Sequence, residues 1–192
     1  MPVTSVSLLD RLRSQPSPND WQRLLDVYEP FIRQWLRDRA LSEDRDDLVQ
    51  DIMAVLVREL PRFKRQRPGS FRAWLRIVTA HRVSLWWRQR RGPARGAGGS
   101  AAVVELAELE DPASPVSRQW DLDHDRHVAQ RLLEMLESEF SPHTWRAFRR
   151  QAVDGLPAAE VAAEMGTTVN AALVAKSKVL ARLREEAREL LD

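Results

Sequence analysis

Apolar residues along this chain recur at intervals of three and four, and no segment alternates apolar with polar, so the pattern predicts helices throughout. Leu8, Leu9 and Leu12 mark a short helix after Thr4 or Ser5 as cap, and Pro16-Ser17-Pro18-Asn19 breaks it. With Asp20 as cap, Leu24, Leu25, Tyr28, Phe31, Ile32, Trp35 and Leu36 form one buried stripe, in which Pro30 predicts a kink or a break. Ser42 to Asp47 supply caps and first-turn acids for a helix carrying Leu48, Val49, Ile52, Val55, Leu56 and Leu60, which Pro61 ends. After a loop from Arg62 to Gly69, Ser70 caps a long helix to Arg91. Phe71, Leu75, Val78 and Leu85 share its apolar side, with Trp74 and Trp86 close to it.

Gly92, Pro93, Gly96, Gly98, Gly99, Pro112 and Pro115 favour an extended connector over packed structure. Helical spacing resumes at about Asp123 with Val128, Leu132, Leu133 and Leu136. Ser141-Pro142 reads as a cap with proline at the first helical position, and Trp145 and Phe148 turn inward. Gly155 closes that helix, Leu156-Pro157 opens the next, and Gly166-Thr167 turns into a last helix with Val169, Leu173, Leu180, Leu183 and Leu190 inward. The expectation is an all-α protein with an amino-terminal extension (1–19), a first helical domain (20–91), a flexible acidic linker (92–122) and a second helical domain (123–192).

At 192 residues and 43% hydrophobic content, the chain can bury two small cores. No apolar run reaches the ~20 residues that span a bilayer, and the amino terminus has no secretion-signal pattern, so a cytoplasmic protein without membrane insertion is expected. Absence of cysteine excludes disulfides, thiolate nucleophiles and thiolate metal sites. Net charge is only +2, but it is unevenly placed. Arg62 to Arg95 carries eleven arginines and lysines with no acid, whereas Glu105 to Asp125 carries seven acids against Arg118 alone.

Three stretches carry candidate chemistry. Pro157 to Asn170 has the shape of a helix-turn-helix: Ala162 and Ala163 permit close helices, Gly166 the turn, and Val169 plugs the second helix into the first. Thr168, Asn170 and Ala171 would meet base edges, and Lys176, Lys178 and Arg182 phosphates. On the helix 70–91, Arg72, Arg76, Val83, Trp87 and Arg90 gather on a basic face suited to a nucleic-acid backbone with stacking on bases. The cluster Asp121-Leu-Asp-His-Asp-Arg-His offers carboxylates and imidazoles for a metal. Ordinary surface histidines beside helix-start acids explain it better, and no metal, cofactor or catalytic residue is expected.

Two ordered motifs carry a resemblance. Asp46-Asp-Leu-Val-Gln-Asp resembles the acidic-Leu-x-Gln-acidic motif of the sigma-70 family, and Ser70-Phe-Arg-Ala-Trp-Leu-Arg-Ile-Val its Phe-Arg-x-Trp-Leu helix. The chain is similar in particular to the extracytoplasmic-function group, which keeps only the sigma-two and sigma-four domains. The resemblance implies that Asp46, Asp47, Leu48, Gln50, Asp51 and Met53 dock on core RNA polymerase. It places Lys64, Arg65, Arg67, Gly69, Arg72, Arg76, His81, Trp87 and Arg88 on the minus-ten element of promoter DNA, whose flipped-out base the loop captures. It assigns minus-thirty-five contacts to the helix-turn-helix, lets the acidic linker run toward the RNA exit path, and allows an anti-sigma protein as a further partner. Departures are His81, where the family commonly has Asn, Leu85, where it has an acid nearby, and Asn170-Ala171-Ala172, where it has basic residues. The rival readings are a conventional helix-turn-helix repressor acting without polymerase, and a metal-dependent nucleic-acid enzyme built on the Asp121 cluster.

Overall fold

The structure, a computed structural model, describes residues 7–37, 45–64, 69–91, 108–188 and 190–191. Its helices are α1 (Leu8–Ser14), α2 (Pro18–Arg37), α3 (Arg45–Glu59), α4 (Ser70–Arg91), α5 (Pro115–Leu136), α6 (Pro142–Ala152), α7 (Ala158–Glu164) and α8 (Val169–Ala187). Short 3-10 turns sit at Leu60–Arg62, Glu108–Glu110 and Glu137–Glu139, and no strand occurs among the described residues.

Local chemistry accounts for the helix starts. Ser7 caps α1 by accepting from the Asp10 N–H at 3.2 Å, which moves the cap beyond the expected Thr4 or Ser5, both outside the described residues. For α2 the cap is Ser17, not Asp20: its hydroxyl accepts from the Asp20 N–H at 3.2 Å while the Asp20 carboxylate accepts from the Ser17 N–H at 3.1 Å. That reciprocal pair is a capping box with Asp in the Glu position.

Pro30 does not end α2, which runs on to Arg37. Its missing N–H leaves the Asp26 carbonyl without a helical donor, and its ring crowds that turn. Arg131 Nε of α5 donates to the Asp26 carbonyl at 3.2 Å, and His127 Nε2 donates to the adjoining Val27 carbonyl at 2.8 Å. The turn around Pro30 is where α5 bonds to the backbone of α2.

The first core joins Leu8, Leu9 and Leu12 of α1 to the inner faces of α2, α3 and α4, and also takes Leu109, Trp120, Val128, Leu132, Ala187 and Leu190. Residues 7–14 are therefore part of the core and no mere extension. The expected boundary at 123 falls inside α5, which begins at Pro115 with Ser114 as cap, accepting from the Ser117 N–H. The Ser-Pro signal that starts α6 also starts α5, where Pro115 was read as a linker residue. Trp120 explains why this segment folds back, because it is fully buried with its ring 4.8 Å from Phe31 and 4.7 Å from Trp35 in edge-on contacts. The remaining linker residues 92–107 lie outside the described residues.

Two smaller clusters hold the carboxy-terminal helices. Ala147, Val161, Ala172 and Ala175 pack α6, α7 and α8 together, and Trp145, Phe148 and Val179 pack below Leu133 and Phe140. Gln151 is buried and donates to the carbonyls of Ala147 and Ala172 at 2.9 and 2.8 Å, which pins α6 across α8.

Candidate nucleic-acid interface

Helix α3 opens on two acids, and its periodicity divides the motif Asp46 to Met53 in two. Asp46, Asp47, Gln50, Asp51 and Ala54 are exposed along one stripe, whereas Leu48 and Met53 belong to the core. Leu48 and Met53 are turned inward in this arrangement and hold the stripe in place. Asp46 bonds to Arg33, which also pairs with Glu29 at 2.9 Å, so the outward acids Asp47 and Asp51 lead the face.

Phe71 and Leu75 of α4 are buried and Val78 packs against the core as expected, but the buried side extends further round the helix than the spacing predicts. Val83, assigned to the basic face, is 1% exposed, and Leu85, assigned to the core, is 37% exposed. Arg76 is buried at 3% and Thr79 and Ala80 are fully buried, because this side of α4 packs on α5 and on the turn around Leu109. Arg72 and Arg76 consequently face acids of their own chain. Arg72 Nη1 donates to Asp125 at 2.7 Å, Arg72 Nε lies 3.3 Å from Asp121, and Arg76 Nη1 donates to Asp121 at 3.1 Å. Both expected DNA contacts are thus covered in this arrangement. Trp87, like Trp74 and Trp86, is half-buried against the core and lies edge-on to Trp86 at 5.1 Å.

What α4 does present outward is His81, Leu85, Arg88 and Ile77, beside an open groove with Val55, Val78 and Arg82. His81 Nε2 lies 3.5 Å from Glu110. Lys64 is exposed, and Gly69 adopts φ +74° before α4, a left-handed conformation suited to glycine. Arg65 and Arg67 lie outside the described residues.

The Asp121 to His127 cluster is interior chemistry, contrary to the expected surface histidines. His124 is fully buried, with Nε2 3.3 Å from the Tyr28 hydroxyl and Nδ1 3.0 Å from Asp125. Burial pushes its imidazole below the ordinary range against the pull of Asp125. Burial would raise Asp125, but the hydrogen bonds from His124 and Arg72 outweigh it and hold the carboxylate low. No group of His, Asp or Glu fit to hold a metal ion occurs among the described residues.

In the helix-turn-helix, Thr168 caps α8 by accepting from the Ala171 N–H at 3.1 Å, and Gly166 takes φ +60° in the turn. Asn170, Ala171 and Lys178 are exposed as expected, and Lys176 is half-buried. Val169 does not plug into α7: it is 46% exposed, and Leu173 is 48% exposed, while Ala172, Ala175 and Val179 make the packing face. Arg182, expected at a phosphate, is engaged within its own chain in this arrangement. It pairs with Glu139 at 2.8 Å and with buried Glu186, which Arg11 also reaches at 3.4 Å, while Arg23 pairs with Glu139 at 3.0 Å. This network ties α1 and α2 to the end of α8. Trp120, His124 and Glu186 are the structural residues that sequence reasoning missed.

The sigma-70 region 2 family model matches residues 24–92, which spans most of α2 and all of α3 and α4. Residues 24–92 are thus similar to region 2 of the sigma-70 family. Over most of its length the chain is similar to "ECF RNA polymerase sigma factor SigD" of Mycobacterium tuberculosis and of Mycobacterium bovis, 28% identical over 181 residues, covering 88% of this chain and 77% of the relative. No solved structure matches it. No described helix of the chain is long and apolar enough to cross a membrane.

Proposed function

We propose that this chain is a sigma factor of the extracytoplasmic-function group, that it binds core RNA polymerase through the exposed stripe Asp47, Gln50, Asp51 of α3, and that its two helical units direct the enzyme to promoter DNA and favour its melting. The observation that carries the reading is the coincidence of that acidic stripe with a region-2 match that runs on into a basic helix. The exposed α4 residues His81 and Arg88, with Lys64, Arg65, Arg67 and Gly69 of the preceding loop, serve the minus-ten element, and α8 serves the minus-thirty-five element. Capture of a flipped-out base stabilises the open strand without chemistry, so the chain needs no catalysis of its own. The site of action is the cytoplasm, and an anti-sigma protein is a fitting regulator.

The packed arrangement has a consequence for this function. Minus-ten and minus-thirty-five elements lie about 25 base pairs, roughly 85 Å, apart along B-DNA at ~3.4 Å per pair. A compact chain of this length has a radius of gyration of about 16 Å and cannot span that distance. Release of α5 from α4 would accompany promoter engagement and would uncover Arg72 and Arg76.

The test is reconstitution. Full-length protein should form a complex with core polymerase and direct transcription from duplex templates. The Asp47→Lys/Asp51→Lys variant should melt at the same temperature as the wild type and fail to bind core. Retention of core binding by that variant removes the proposed interface. Specific, polymerase-independent duplex binding without any core binding would favour a conventional repressor.

A further inference from the structure

The outward face of α8 has an unusual chemistry for a helix that meets DNA. Between Thr168 and Ala175 no side chain is charged. With Ala172, Ala175 and Val179 turned inward, the opposite side presents Asn170 and, one turn on, Val174, flanked by Ala171 and Leu173. Val174 and Leu173 are 42% and 48% exposed. Cations appear only further along and to the side. A cleft between the start of α6 and α8 has Ala171 and Val174 in its wall and His143, Thr144, Thr167 and Lys178 around it. The polar groups suit a phosphate backbone, which positions a helix in a groove without reading sequence.

Resting on the reading that α8 enters a major groove, we propose that it selects A·T pairs there, through thymine methyl contacts made by Ala171 and Val174 and an adenine contact made by Asn170. Guanine is read chiefly by Arg or Lys on O6 and N7, and cytosine by carboxylates on N4. The first two turns of α8 carry none of these. Asn is the residue that bonds adenine N6 and N7 in bidentate fashion, and small apolar side chains are those that meet the thymine 5-methyl. Recognition helices read bases with their amino-terminal residues, where these three positions lie. An exposed apolar face of this size favours DNA over water only where methyl groups meet it, because the other edges in the major groove are polar.

The probe is a library of duplexes randomised over twenty base pairs, selected with full-length protein, both alone and assembled with core polymerase. The expected product is an A·T-rich element whose thymines are then replaced by deoxyuracil, which removes the methyl and preserves every hydrogen bond. Each contacted methyl lost should weaken binding about three- to fourfold, the worth of one buried methyl-sized group. Val174→Ser, at an exposed position that should leave folding unchanged, should abolish that sensitivity at one thymine. A selected element dominated by G·C, or an A·T element indifferent to deoxyuracil, overturns the methyl readout while the promoter-binding reading stands. If the protein binds core polymerase but neither preparation selects any sequence upstream, duplex reading by α8 fails and this proposal falls with it.

Discussion

Removal of the Asp121 carboxylate is the sharpest test of the packing between α4 and α5. Arg76 is 3% exposed, its Nη1 bonds Asp121 at 3.1 Å, and its Nε has no hydrogen-bond partner among the described residues. Asp121→Ala therefore leaves a guanidinium nearly dry and without its carboxylate. Breaking a fully buried pair costs ~3–5 kcal/mol, but Asp121 is 31% exposed and water screens part of the loss, which brings the expectation to about 2 kcal/mol. For a chain of this size that corresponds to a melting temperature lowered by about 4–8 °C, read by circular dichroism. Asp123→Ala is the control, since among the described residues Asp123 bonds only along its own helix to Gln119 and Arg126 and should shift stability by no more than about 0.5 kcal/mol. Arg76→Met in the Asp121→Ala background should recover much of the loss by replacing the orphaned charge with apolar volume. Under the proposed function the Asp121→Ala variant should also bind single-stranded DNA more tightly, with a steeper salt dependence by ~0.7 in log-log slope per arginine uncovered. Equal melting of the Asp121 and Asp123 variants, or no rescue by methionine, would refute the reasoning.

Trp120→Ala should cost about 3–5 kcal/mol in denaturant unfolding, because a fully buried indole is lost from between Phe31 and Trp35. Trp120→Phe should be much milder, since the indole N–H has no partner among the described residues to lose. Stability should begin to fall as pH drops below about 6.5, because the unfolded His124 takes a proton that the buried imidazole resists. A flat profile between pH 7 and 5 would contradict this. A second loss should follow nearer pH 4. There Asp20 and Glu139, which burial would raise, are held low in the fold by hydrogen bonds from Ser17 and Arg11 and from Arg182 and Arg23. Glu186→Gln should destabilise by ~2 kcal/mol and expose amides of α1 to faster hydrogen exchange, because it removes the buried charge shared by Arg11 and Arg182.

The helices, most of their ends and the helix-turn-helix were legible in the chain itself. Apolar spacing along α2 and α3, the Ser-Pro start of α6 and the glycine turns at Gly155 and Gly166 are local signals, complete within a few residues. So was the acidic stripe of α3, once its apolar members are turned inward. On α4 the burial of Phe71 and Leu75 was legible, but that of Arg76, Thr79 and Ala80 was not, because they face a partner whose acids make that burial tolerable, and the partner lies 45 residues on. A helical wheel ranks side chains by affinity for water and places arginine outside by default. His124, Arg182 and Glu186 were misplaced or overlooked for the same reason, each being satisfied by a group from a distant helix. That α2 runs on past Pro30 was likewise not legible, the freed Asp26 carbonyl being met by Arg131. Periodicity alone therefore determined an all-helical chain with a helix-turn-helix at its end. Which charges face DNA and which face one another was decided only by the packing of α5 and α8 on the first bundle, because a buried polar group is stable only beside the partner that tertiary structure brings to it.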